Sequence, residues 1–232
     1  MVKKLALCSL FFANILFASG SEVNVYSQRH YDSDKALFKK FEEKTGIKVN
    51  LITAKAEELV SRLSIEGANS PSDILITADI GNLYEAKERD LLQGVSSKTL
   101  EKNIPAHLRD EGGKWFAITK RARLFVYNPK TINPAHLDDY FSLTKPEFKG
   151  KVITRSSTNA YNKSLLASII AHNGEEKSLE FVKGLVNNFA RDPKGADKDQ
   201  IRAVASGEAD IAIVNSYYLG VMANSGDRVD EE

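Results

Sequence analysis

The chain has 232 residues, 42% hydrophobic and 27% charged, with 14 glycines, 6 prolines and 1 cysteine. These proportions exclude a disordered tail, a collagen-like fibre and a disulfide-stapled miniprotein, and the length suits one large or two small α/β lobes. Lysine and arginine number 32 against 31 acidic residues, a formal charge of +1. With no basic cluster along the chain, that balance argues against a nucleic-acid partner.

Met1 to Lys4 is a short basic segment, and Leu5 to Ala18 is an apolar run broken only by Cys8, Ser9 and Asn14. Small residues follow at Ala18, Ser19 and Gly20. This is the pattern of a secretory signal peptide over residues 1–20, cleaved near Gly20 or Ser21. The mature chain then carries 30 basic and 31 acidic residues and no cysteine. It is expected to have no disulfide, thiolate metal site or cysteine nucleophile. No later apolar run approaches the ~20 residues that cross a bilayer. The expected product is exported, with no stable membrane insertion.

Strands and helices then alternate. Glu22–Ser27 reads as a strand. An amphipathic helix follows over Asp34–Lys44, with Ala36, Leu37, Phe38 and Phe41 on its apolar face and Thr45-Gly46 as its stop. Ile47–Ile52 is a second strand, Ala56–Glu66 a second helix and Asp73–Thr77 a buried third strand. A helix over Asn82–Arg89 comes next. This βαβαβα order implies a parallel sheet whose ligands gather at the strand C-terminal ends. Lys114–Asn128 is strand-rich. A second α/β unit starts at Lys149–Thr154 and continues with helices over Tyr161–His172, Ser178–Asn188 and Asp199–Ala205. It closes with a strand over Ala209–Val214. The expected lobes are residues 21–120 and residues 121–232, the latter including the hinge strands.

Familiar enzyme signatures are missing: H-E-x-x-H, G-x-S-x-G and a G-x-G-x-x-G after a strand do not occur. The four histidines form no i, i+4 pair, and three of them read as surface residues. The tyrosines are more informative. Tyr26, Tyr84 and Tyr127 lie in apolar patterns that suit a core. Tyr31, Tyr161, Tyr217 and Tyr218 instead lie at junctions where strands end, with His30 beside Tyr31 and Asp32 or Ser33 in place to cap the helix that follows. A tyrosine is also at home in half-buried packing, where its ring is covered and its hydroxyl meets water. Tyr217 and Tyr218 can face one ligand only from a turn or a helix start, because adjacent strand residues point to opposite sides. Four phenols and an imidazole along one edge suit a hard trivalent cation. Phenolate is an anionic oxygen donor, and three of them would neutralise Fe³⁺. The metal itself would displace phenol protons that otherwise leave only near pH ~10.

Several segments carry a resemblance. They are Val25–Lys35 (VYSQRHYDSDK), Lys120–Tyr127 (KRARLFVY), Asn159–Ser164 (NAYNKS), Asp199–Ala205 and Asn215–Gly220 (NSYYLG). In this order and over essentially the whole mature chain, the sequence resembles the periplasmic ferric-iron-binding proteins, the substrate-binding components of bacterial iron(III) ABC transporters. The resemblance implies an α/β, two-lobe periplasmic binding protein (type II) fold with a hinged cleft. It implies that His30, Tyr31, Tyr161, Tyr217 and Tyr218 ligate transported Fe³⁺, with an anion such as carbonate beside it. Arg121 matches an arginine near the cleft that binds the anion or offsets phenolate charge, though it also belongs to a Lys120-Arg121-Arg123 group that suits a surface. Ser156, Ser157 and Asn159 would orient the phenols. The implied partner is an inner-membrane ABC permease, the implied state is a monomer, and catalysis is not expected. Family members run on well past Tyr218, so the resemblance implies that the C-terminal part is missing here. A small oxyanion or organic anion on the same fold is the alternative ligand, held by Arg121, the Ser/Thr/Asn run and helix N-termini.

Overall fold

The computed structural model describes residues 21–224. The expected signal peptide lies outside the described residues. Contacts divide the described residues into two compact units, one ending at Ala78 and the other starting at Asp79.

The first unit runs β1 (Glu22–Ser27), α1 (Asp32–Thr45), β2 (Lys48–Thr53), α2 (Ala56–Glu66) and β3 (Ile74–Ile76). Its sheet has the order β2-β1-β3 and is parallel throughout, with Glu22 opposite Lys48 and Val25 opposite Ile74. The first crossover steps from β1 to β2 and the second returns past β1 to β3, and right-handed connections in opposite directions put α1 and α2 on opposite faces. β1 is central, and its Val25, Tyr26 and Ser27 are buried. α2 buries Ala56, Leu59, Val60 and Leu63, the i, i+3, i+4, i+7 stripe of an amphipathic helix. α1 ends at Gly46, whose φ of 71° lies in the left-handed region and whose amide donates to the Glu42 carbonyl. Glycine takes that conformation without the Cβ clash that penalises other residues.

Two expectations fail in this unit. β3 is not a buried strand: it is an edge strand three residues long, and Ile74 is 46% exposed. The apolar face read for α1 is not buried either, since the helix buries none of its side chains and Leu37 is 64% exposed. Periodicity identifies which residues share a helix face, but not whether another element covers it.

The second unit holds α3 (Ile80–Glu88), α4 (Lys98–Asn103), β4 (Arg123–Tyr127), β5 (Val152–Ile153), α5 (Ala160–Asn187), α6 (Asp197–Ala205), β6 (Ile211–Asn215) and α7 (Tyr217–Asn224). β6 lies between β4 and β5, parallel to β5 and antiparallel to β4, so this sheet is mixed. All five β6 residues are buried, as a central strand covered on both faces requires. Ala212 and Val214 join Ile153, Ile201, Val204 and Met222 in one core cluster, while Ile211 and Ile213 join Leu143, Phe148 and Val152 in another. The strand-rich reading of 114–128 reduces to β4 and one isolated bridge between Arg109 and Phe116. The two helices expected over 161–172 and 178–188 form one long element that breaks at Gly174, with φ 78° and ψ 168°. Tyr26 is a core residue, but Tyr84 is 58% exposed and does not belong to the core. Among the described residues, no helix is long and apolar enough to cross a membrane.

Candidate metal-binding site

In the first unit, the chain leaves β1 through Gln28, Arg29 and His30. The Ser27 hydroxyl turns it, accepting from the Arg29 amide at 3.0 Å and donating to the Arg29 carbonyl at 3.1 Å. The residue that opens α1 is Tyr31, in extended backbone and without a side-chain cap. Asp32 and Ser33 were expected to cap; they instead lie inside the helix, where Asp32 and Asp34 add negative charge to its positive N-terminal end. The His30 and Tyr31 rings stack with centroids 5.1 Å apart. Arg29 grips Asp34 with two nitrogens, at 3.0 and 2.9 Å, and its guanidinium carbon sits 5.3 Å from the Tyr31 ring centre. Both His30 and Tyr31 are exposed.

In the second unit, β5 and β6 are parallel neighbours, so their C-terminal ends share one edge of the sheet. Tyr161 follows β5 as the second residue of α5, and Tyr217 and Tyr218 follow β6 as the first two residues of α7. The Tyr217–Tyr218 pair is therefore on a helix start, the arrangement that lets adjacent phenols approach one ligand. Their rings lie 4.4 Å apart at 33°. Asn159 is the N-cap of α5: its side-chain oxygen accepts from the Tyr161 amide at 3.0 Å, which fixes where the tyrosine enters the helix. Ser156 bonds within its own loop, to the Thr158 hydroxyl and amide, and Ser157 is exposed.

Three guanidinium groups surround the Tyr161 ring, at 4.3 Å for Arg121, 5.3 Å for Arg155 and 5.9 Å for Arg123. Arg121 also pairs with Asp79 at 2.5 Å. The other Asp79 oxygen accepts from Ser164 at 2.6 Å, one helical turn beyond Tyr161. Arg123 does not belong to a surface group. Its side chain is 8% exposed, and it faces the fully buried Asp197 at 3.1 Å. The sequence reading missed Arg123, Asp197, Asn162 and Arg155. The available signal lay in the NAYNKS segment, where Asn162 directly follows Tyr161 and Ser164 lies one helical turn beyond it. Asp197 had none, because its partner Arg123 is 74 residues away. Tyr140 closes the back of β4 by donating to the Arg123 carbonyl at 2.8 Å, and burial pushes its phenol pKa up.

Among the described residues, no group of three or more His, Cys, Asp or Glu side chains is placed to hold a metal ion. A metal site here would have to draw on other donors, and the phenols at the strand ends are hard oxygen donors suited to a highly charged cation.

Residues 69–230 match the sequence family described as bacterial extracellular solute-binding protein. The chain belongs to that family. It is 50% identical over 206 residues to iron uptake protein A1 of Synechocystis, covering 89% of this chain and 57% of that protein. The ferric binding protein from Campylobacter jejuni is 56% identical, with a TM-score of 0.83 over 88% of this chain and 65% of that one. The Trichodesmium protein solved in complex with iron and citrate is 47% identical, with a TM-score of 0.84 over 88% of this chain and 65% of that one. The chain thus spans about 57–65% of the lengths of these relatives. The fold class is the expected one, α/β of the type II periplasmic-binding kind.

Proposed function

We propose that this protein captures Fe³⁺ through tyrosine phenolates and delivers it, as a periplasmic monomer without catalysis, to an inner-membrane ABC permease. The observation that carries the reading lies within the second unit. Two parallel neighbouring strands end at one sheet edge, and the helices that follow open on Tyr161 and on Tyr217-Tyr218. These three phenols are the core of the proposed donor set, and His30 and Tyr31 of the first unit are its further members. The names of the relatives, iron uptake and ferric-binding proteins, support the same cargo.

Phenolate oxygens match the hardness of Fe³⁺, and three of them balance its charge. The bound ion lowers the phenol pKa far enough to deprotonate the donors near neutral pH, so uptake releases protons. Arg121, stacked on Tyr161 and paired with Asp79, would offset part of that negative charge or hold an anion such as carbonate beside the metal. Asn159 serves the site by fixing the first turn of α5.

Equilibrium dialysis against ferric citrate tests the reading. The protein should retain about one Fe³⁺ per chain, and the double variant Y217F/Y218F should lose that iron while keeping its fold. Retention of iron by the double variant at the wild-type level would remove these phenols from the donor set.

A further inference from the structure

The three phenols of the second unit stand on two separate segments, and one buried side chain touches the framework of both. Arg123 lies on β4 directly opposite Asn215, the last residue of β6. Residues opposed in an antiparallel pair share a face. Arg123 Nη1 accordingly donates to Asn215 Oδ1 at 3.0 Å, and it donates to both Asp197 oxygens at 3.1 Å. Its Nη2 donates to Asn162 Oδ1 at 2.9 Å and to the Ile213 carbonyl at 3.1 Å. Asn162 follows Tyr161 in α5, and its amide nitrogen reaches back to the Thr154 hydroxyl at 3.2 Å and the Arg155 carbonyl at 2.7 Å, bracing the loop after β5. Asn215 donates onward to the Tyr217 hydroxyl at 3.5 Å.

We propose that Arg123 is the positioning residue of the iron site: a single guanidinium, anchored by Asp197, that sets the Tyr161 and Tyr217 phenols relative to each other. The inference rests on the ferric reading above. Three features point to position as its role. The planar fork of arginine has donors at fixed angles, so its partners are held in one mutual geometry, whereas an ammonium group would meet them as a point charge. Asp197 is fully buried at the start of α6, so its carboxylate needs charged partners, and it has them in Arg123 and, at 3.8 Å, Arg155. Its partners come from three elements besides its own β4: the first turn of α5, the start of α6 and the end of β6. A shift of any one of them moves the guanidinium and with it the spacing of the phenols. A metal ion demands donors placed within a fraction of an ångström, and the groups that orient ligands are where that placement is set.

Arg123→Lys is the most direct probe, because it keeps a positive charge for Asp197 and removes the fork. Removing the charge altogether would leave the Asp197 carboxylate short of a partner and endanger the fold. The purified protein, Arg123→Lys and Asn215→Ala would each be loaded with ferric citrate. The readouts are the phenolate-to-iron charge-transfer band, the rate of iron loss to a competing chelator, and the thermal midpoint from circular dichroism. The expected result for Arg123→Lys is a displaced band and iron held roughly ten- to a hundredfold more weakly, the usual effect of losing a group that orients metal ligands. Asn215→Ala should displace the band in the same sense; because Asn215 is buried it should also lower the thermal midpoint, so the band and release rate are read on protein that circular dichroism shows to be folded. A folded Arg123→Lys protein with the wild-type band and the wild-type release rate overturns the proposal, since a purely structural arginine lowers the midpoint and leaves the band alone. Should Arg123→Lys fail to fold, a wild-type band and release rate in Asn215→Ala overturns it equally. A wild-type protein with no band at all overturns the ferric reading itself, and this inference with it.

Discussion

Glu66 closes the first unit at the point where four side chains converge. Its carboxylate accepts from the Ser70 hydroxyl at 2.6 Å, from Arg62 Nε at 2.6 Å and from the buried Tyr26 hydroxyl at 2.9 and 3.0 Å. The Ser70 and Arg62 hydrogen bonds are the main reasons its pKa lies below the ordinary 4.5. Burial, reinforced by the bond to Glu66, pushes the Tyr26 phenol up. Because the folded carboxyl binds its proton less tightly than the unfolded one, this cluster stabilises the fold fully above pH 4.5. The contribution is lost as pH falls below that value and through the folded pKa. Glu66→Gln should therefore lower stability near neutral pH and flatten the loss of stability in acid, as read from urea midpoints over a pH series. A variant with the acid slope of the wild type would contradict the account. Asn188 offers a test without charge. It is 1% exposed and donates to the Leu143 and Lys145 carbonyls, each at 2.8 Å. Asn188→Ala should cost about 2 kcal/mol in chemical denaturation, the penalty for leaving such groups unpaired.

At the scale of elements, local chemistry made much of the chain legible. β1 and α2 have the bounds that the sequence pattern predicts, Glu22–Ser27 and Ala56–Glu66. The Tyr217-Tyr218 pair does open a helix, as two adjacent phenols facing one ligand require. Gly46 ends α1 where the Thr45-Gly46 stop predicts it. A Cβ at Gly46 would meet nothing within 4 Å, so Gly46→Ala isolates backbone strain at φ 71°. It should destabilise the protein by about 1 kcal/mol, and an unchanged midpoint would contradict the assignment of that cap. What periodicity could not reach was set by distant partners. β3 reads as a buried strand, but its place at the sheet edge exposes Ile74, and edge position is a property of topology. Arg123 reads as part of a Lys120-Arg121-Arg123 group suited to a surface, yet strand pairing sets it opposite Asn215 and brings it to Asp197 from 74 residues away. The proposed tyrosine donors were legible because strand ends and helix starts are local features; the buried ion pair that braces them was not.

At the scale of the whole molecule, the chain belongs to the bacterial extracellular solute-binding proteins and matches its relatives over 57–65% of their length. Phenolate ligation makes a pH-dependent cargo: protons compete with Fe³⁺ for every oxygen, so iron should be released as pH falls. Stopped-flow release into a chelator at stepwise lower pH should show accelerating loss, and pH-independent release would contradict phenolate donors. The measurement closest to the central claim is an optical titration of the metal-free protein with chelated Fe³⁺. The account predicts a visible phenolate-to-iron charge-transfer band that saturates near about one equivalent and fades in acid. A folded protein that stays colourless through the titration would contradict it and favour a small anion, held by Arg121, as the ligand.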